Sequence, residues 1–130
     1  MKEILVPISP GELLDKITIL EIKSERIEDP QKVANVSHEL GLLSEVWSDS
    51  VTEDETIAEL HKLLKSINEE LWEIEDDIRD EERDNRFGDR FIELARAVYV
   101  TNDKRAQAKK DVNLHLGSDI IEEKSYKDYA

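Results

Sequence analysis

Seven aliphatic residues follow one another at alternating spacings of three and four in the middle of the chain. They are Ile57, Leu60, Leu64, Ile67, Leu71, Ile74 and Ile78. This spacing puts all seven side chains on one side of a long α-helix. So long an apolar seam is stable in water only when it packs against other helices, in a bundle or a coiled coil. The feature therefore predicts an all-α fold.

A second helix signal stands near the start, in the segment ISPGEL. Ser9 can cap a helix, Pro10 suits the first helical position, and Glu12 completes a capping box. We expect a helix from about Pro10 to Glu28. The preceding EILVPI is the one strand candidate, but Pro7 limits it to an edge strand or a short extended arm.

Similar signals mark the remaining helices. Asp29–Pro30 supplies a cap and a first helical position for a second helix, and Thr52 with Glu55 forms a capping box before the long seam. A fourth helix is predicted to reach about His115, where Gly117 ends it. The pattern predicts an antiparallel bundle of about four helices with a short extended N-terminal arm.

Length and composition restrict the class of protein. With 130 residues, the chain suits a single helical domain over 1–130. It contains no cysteine, and no apolar run reaches the roughly 18 residues of a membrane span. We therefore expect a cytoplasmic protein. Its net charge of −14 argues against nucleic acid as a partner, because phosphate backbones attract basic surfaces.

The charge is unevenly distributed along the chain. Residues 53–84 include 14 acidic and 4 basic residues, whereas residues 86–110 include 7 basic and 3 acidic ones. The two segments should attract each other within one chain or across a dimer. A homodimer is expected, because the long seam offers more apolar surface than three shorter helices cover and the N-terminal arm suits exchange between subunits; the alternative is a compact monomer.

A polar interruption in the fourth helix is the main functional signal. Continuing the apolar spacing from Val98 gives Thr101 and Arg105, where hydrophobic residues are expected. A buried arginine without a partner costs about 3 to 5 kcal/mol. We therefore expect the first and fourth helices to meet, with Asp15 or Glu21 pairing with Arg105.

Two interpretations of this polar region stay open. One is a structural salt bridge surrounded by polar residues. The other is a pocket for a small anionic ligand, whose phosphate or carboxylate an arginine can bind through two hydrogen bonds. The candidate ligand-binding residues are Asp15, Glu21, Lys23, Thr101, Asn102, Lys104 and Arg105.

The acidic part of the long helix offers an alternative, a magnesium site at Glu70, Glu73 and Asp77. Rows of helical carboxylates hold Mg²⁺ in the all-α nucleotide pyrophosphohydrolases, which this segment resembles. In that group a second acidic pair follows on the next helix, but Arg96 stands where the carboxylate is needed. The competing interpretation is a solvated acidic face.

Four segments carry a resemblance that covers nearly the whole chain: ILVPISPGELLDKITILEIKSERI, NVSHEL, ARAVYVTNDKRA and EEKSY. Together they resemble a family of small bacterial proteins of unknown function, which implies no activity or cofactor. The rhythm LLDKITILEI is also loosely similar to helical chorismate mutases. The sequence thus predicts a binding or assembly module with a polar site around Arg105. The alternative is a small all-α enzyme, Mg-dependent or not, that acts on a phosphorylated or nucleotide-linked substrate.

Overall fold

The computed structural model describes residues 2–129, which form four α-helices and no strand. The helices are α1 (Pro10–Arg26), α2 (Pro30–Ser50), α3 (Glu55–Arg83) and α4 (Asp89–His115). The all-α prediction is confirmed. Residues 2–8 form an extended arm, and residues 118–129, here called the C-terminal segment, follow α4 without regular structure.

Side-chain caps explain where the first two helices begin. The Ser9 hydroxyl accepts a hydrogen bond from the Glu12 amide at 3.2 Å, and Pro10 opens α1. In α2 the Asp29 carboxylate accepts from the amides of residues 31 and 32 at 2.9 and 3.1 Å. These contacts satisfy amide groups that have no partner within the helix, as predicted for both caps, but the Glu12 carboxylate that should complete the capping box pairs with Lys109 instead.

The start of α3 differs from the expectation. Asp54, not Thr52, is the cap, and its carboxylate accepts from the Ile57 amide at 2.8 Å. The reason is position, because Asp54 directly precedes the first helical residue and Thr52 lies two residues further out. The same carboxylate lies 2.7 Å from Nε2 of His115, so this cap also joins the start of α3 to the end of α4.

The predicted end of α4 is confirmed. Gly117 takes a φ of +64°, in the left-handed region that glycine enters without strain. The amide of Ser118 then donates to the carbonyl of Asn113 at 2.9 Å, which satisfies an acceptor of the last helical turn.

The core lies where α1 packs against the antiparallel pair formed by α3 and α4. Helix α1 contacts each of the other three helices, while α2 packs mainly against α1 and buries only Trp47. Ile57 and Leu64 of the predicted seam are fully buried, whereas Leu60 and Leu71 are half-buried. Within residues 2–129, no helix has both the length and the apolar character that crossing a bilayer requires.

Helices α3 and α4 have 29 and 27 residues and are much longer than α1, which has 17. Opposite charges meet where the end of α3 lies beside the start of α4, because Arg90 of α4 lies 3.5 Å from Asp77 of α3. The attraction expected between the acidic and basic segments therefore acts within the chain.

Candidate functional site

An ion pair joins the middle of α1 to α4. Asp15 is 1% exposed, and its two carboxylate oxygens accept hydrogen bonds from Nε and Nη2 of Arg105 at 2.9 and 2.5 Å. This two-point geometry fixes both the distance and the orientation of the guanidinium. The pair that the register of α1 and α4 predicted is present.

Two further polar side chains complete the network around Asp15. The amide of Asn68 on α3 donates to Oδ1 of Asp15 and to the hydroxyl of Thr18, both at 2.9 Å. That hydroxyl donates in turn to the backbone carbonyl of Asp15 at 2.8 Å. Among the described residues, no buried side-chain nitrogen or oxygen lacks a partner. Three helices thus meet at one satisfied polar cluster.

The network keeps Asp15 ionised. Burial on its own raises the pKa of this carboxyl, but the hydrogen bonds from Arg105 and Asn68, with the charges of Arg105 and Lys109, hold it below its usual value. The hydrogen bond to Asp15 likewise raises the pKa of Arg105. The site therefore holds a fixed pair of charges at neutral pH.

Glu21, the other predicted partner of Arg105, has a different role. Its carboxylate lies 2.8 Å from Nε2 of His61 on α3, and this contact lowers the pKa of Glu21. Glu21 lies six positions after Asp15, so their side chains point about 120° apart around the helix. Only Asp15 can then face α4, so the Glu21 alternative was wrong.

An open groove of about 270 Å³ lies beside the ion pair. Its apolar lining comes from α1 and α3, and its polar lining includes Arg105 and Asn102 of α4. Nη1 of Arg105 has no acceptor among the residues that the structure describes. The complete lining is Ile19, Ile22, Asn68, Leu71, Trp72, Glu75, Asn102 and Arg105.

The remaining predicted residues are only partly gathered at this groove. Asn102 lines it, and Thr101 is buried within α4 at 2% exposure. Lys23 is half-buried and Lys104 is exposed, and neither of them lines the groove. The structure brings together Asp15, Asn102 and Arg105.

A second polar contact between α1 and α4 was not predicted. The Lys109 ammonium lies 2.7 Å from Glu12 and 2.9 Å from Glu122 of the C-terminal segment. One turn further on, the side-chain carbonyl of Asn113 accepts from the Gly11 amide at 2.7 Å. The position of Lys109, four residues after Arg105, was the available signal for this contact.

The predicted magnesium ligands are not assembled into a site. Glu73 pairs with Arg26, Asp77 lies near Arg90, and Glu70 is exposed. Within residues 2–129, no group of three or more acidic or histidine side chains is placed to hold a metal ion. The acidic face of α3 instead meets basic residues of α1 and α4.

A family model described as "Family of unknown function (DUF6165)" matches residues 4–129 of the chain. No curated protein and no solved structure matches it. The family match covers all four helices, the groove and the whole C-terminal segment.

Proposed function

The chain belongs to the family of unknown function DUF6165, and we propose that it is a binding module whose site is the groove beside Arg105. The proposal rests on the way in which Asp15 holds the guanidinium of Arg105. Asp15 fixes this guanidinium through Nε and Nη2, and Arg105 also lines the groove, where Nη1 is the nitrogen that Asp15 does not engage. A donor held in this way is ready to bind without further ordering.

The lining indicates the chemistry of the ligand. Ile19, Ile22, Leu71 and Trp72 offer an apolar surface, and the polar residues are Asn102 and Arg105 of α4 with Asn68 and Glu75 of α3. Asp15 already balances the charge of Arg105 and Glu75 also lines the groove, so a phosphate with two negative charges is repelled more strongly than a single carboxylate. We infer a small ligand with an apolar or aromatic body and one carboxylate, which accepts from Arg105 and Asn102.

The lowered pKa of Asp15 favours a binding role over a catalytic one. A general base works best when its pKa lies near the working pH. Asp15 has a lowered pKa, and three hydrogen-bond donors already engage its carboxylate. Such a group orients Arg105 and is a weak proton acceptor, which suits a binding site.

Trp72 provides a direct assay because its ring lines the groove. We expect benzoate and phenylacetate to shift the indole NMR signal of Trp72, while neutral benzamide and inorganic phosphate bind more weakly. A ligand at 100 times its dissociation constant stabilises the protein by about 2.7 kcal/mol, which raises Tm by roughly 10 °C for this size of chain. The second tryptophan, Trp47, is buried in the core and serves as the internal reference.

Arg105→Lys separates binding from folding, because lysine keeps a charge for Asp15 and loses the rigid third donor. We expect this variant to weaken benzoate binding about tenfold, equivalent to about 1.4 kcal/mol. Lys104→Met is the matched control, because Lys104 is exposed and does not line the groove. Equal affinity in both variants, or a Trp72 signal that no probe moves, would refute the proposal.

We also propose that two copies of the chain associate through the N-terminal arm. Ile4, Leu5 and Val6 are 73%, 85% and 65% exposed, which is costly for three consecutive aliphatic residues. Next to them lies a groove of about 440 Å³ without a charged lining residue, formed in part by Val6 and by Val46 of α2. In a chain of charge −14, an uncharged surface is where two copies meet with the least repulsion.

Sedimentation velocity tests this association. We expect the wild-type chain to sediment as a dimer and Leu5→Ser as a monomer. Leu63→Ser is the control, because Leu63 is 48% exposed on α3 and does not line this groove. A monomeric wild type, or equal dissociation of both variants, would contradict the assembly proposal and leave the Arg105 groove unaffected.

A further inference from the structure

Lys109 is the most deeply buried basic residue among residues 2–129, at 9% exposure. Its ammonium contacts two carboxylates of very different origin. Glu12 belongs to the first turn of α1, whereas Glu122 belongs to the C-terminal segment, which has no regular structure. The buried charge therefore depends in part on a segment that lies largely in solvent.

The surroundings of Glu122 are unusually basic for so acidic a chain. Glu122 and Lys109 border a cavity of about 20 Å³ together with Lys110, Asn113 and Lys124. Glu122 is the one acidic residue of this lining, against three lysines. A cavity of this size has room for about one water molecule beside the ion pair.

The two partners of the Lys109–Glu122 ion pair differ in how easily water hydrates them when the pair breaks. The side chain of Glu122 is 51% exposed, and residues 122–129 are all exposed, so Glu122 regains its full hydration easily on release. Lys109 cannot do the same, because its ammonium stays within the protein between α1 and α4. An exposed carboxylate contributes little to folding, but without Glu122 the buried ammonium keeps only Glu12 as a partner and has a donor free for a second carboxylate.

We propose that Lys109, Lys110 and Asn113 form an exchangeable carboxylate site on α4, which Glu122 occupies as an internal ligand until an external carboxylate replaces it. Replacement by a carboxylate conserves the local charge. It also frees the middle of the C-terminal segment, which stays attached through Tyr129, whose ring lies 5.1 Å from that of Tyr99. This site shares no lining residue with the groove beside Arg105.

Chemical rescue tests the site in the full chain. Glu122→Ala removes the internal carboxylate, and we expect sodium acetate to restore Tm beyond the effect of sodium chloride at the same ionic strength. The gain is roughly 5 °C when acetate is at ten times its dissociation constant. Asp119→Ala is the matched control, because Asp119 is an exposed carboxylate of the same segment and does not border this cavity. Acetate should act on this control no more than chloride does.

Glu122→Gln keeps the size of the side chain and gives a second measurement. We expect the side-chain NMR signals of Lys109 to saturate at lower acetate concentration in this variant than in the wild type, where acetate competes with Glu122. Equal saturation in both proteins, or no advantage of acetate over chloride in Glu122→Ala, overturns the proposal. An equal effect of inorganic phosphate overturns the assignment of the site to carboxylates.

Discussion

Arg105→Met tests how strongly the polar cluster holds α1 to α4. In the native protein the buried carboxylate of Asp15 accepts two hydrogen bonds from Arg105 and one from Asn68. Methionine preserves the aliphatic stem of the side chain and leaves a buried carboxylate with a single donor. Removing one member of a buried ion pair costs 3 to 5 kcal/mol. We expect about 3 kcal/mol, because the Arg105 side chain is 30% exposed and water reaches the vacated space.

Urea unfolding and thermal unfolding, followed by circular dichroism, measure this loss. For a chain of 130 residues, about 3 kcal/mol lowers Tm by roughly 10 °C. Arg96→Met is the control, since Arg96 is exposed on the same helix, and it should change stability by less than about 0.5 kcal/mol. Asp15→Leu combined with Arg105→Met should lose less than the sum of the single variants. Additive losses in this double-mutant cycle would refute the argument.

Acidification gives an independent test of the same pair. The pKa of Asp15 is lowered in the folded protein. The ionised carboxylate therefore stabilises the fold above pH 3.8, and this contribution is lost as the pH falls through the pKa of the folded state. The difference in unfolding free energy between wild type and Arg105→Met should therefore shrink below pH 3.8. A difference that stays constant in acid would contradict the role assigned to Asp15.

Two further predictions concern glycine and histidine. A Cβ on Gly11 would lie 2.3 Å from the carbonyl oxygen of Lys109. Gly11→Ala should therefore lower the free energy of unfolding in urea by about 1 to 3 kcal/mol. Gly41 has open space around it, so Gly41→Ala should raise the free energy of unfolding by about 1 kcal/mol. Equal effects of the two variants would contradict the close approach of α1 and α4. The pKa of His61 is raised by its hydrogen bond to Glu21, so its stabilisation is present below pH 6.5 and lost as the pH rises through the folded value. His61→Gln should therefore destabilise the protein more below pH 6.5 than well above it, and a difference independent of pH would exclude this mechanism.

The helices could be predicted because their signals are local. The spacing of Leu64, Ile67 and Leu71 depends only on the period of the helix, and the Ser9 cap depends on residues within one turn. The same local argument chose Thr52 for the start of α3, although Asp54 is closer to the helix. Local patterns thus establish that a cap is present more reliably than they identify the capping residue.

The polar cluster could be predicted only in part, because it depends on how the helices are rotated against each other. A buried arginine requires an acid, which identified the contact between α1 and α4 but left Asp15 and Glu21 as alternatives. Asn68 adjoins Ile67 in the apolar seam, and its amide became significant only once α3 was placed next to Asp15. The groove depends on gaps between three helices, and no pattern along one helix encodes such a gap.

The polar contacts between α1 and α4 determine which alignment of the helices is stable. Arg105, Lys109 and Asn113 follow one another at intervals of four residues, so they form a single stripe along α4. Along the antiparallel α1, this stripe meets, in the same order, Asp15, Glu12 and Gly11. A shift of α1 by one turn would preserve apolar packing but separate all three contacts and leave buried polar groups unpaired. The groove and the Lys109 site exist only in the aligned arrangement, so the residues that specify the fold also position both proposed sites.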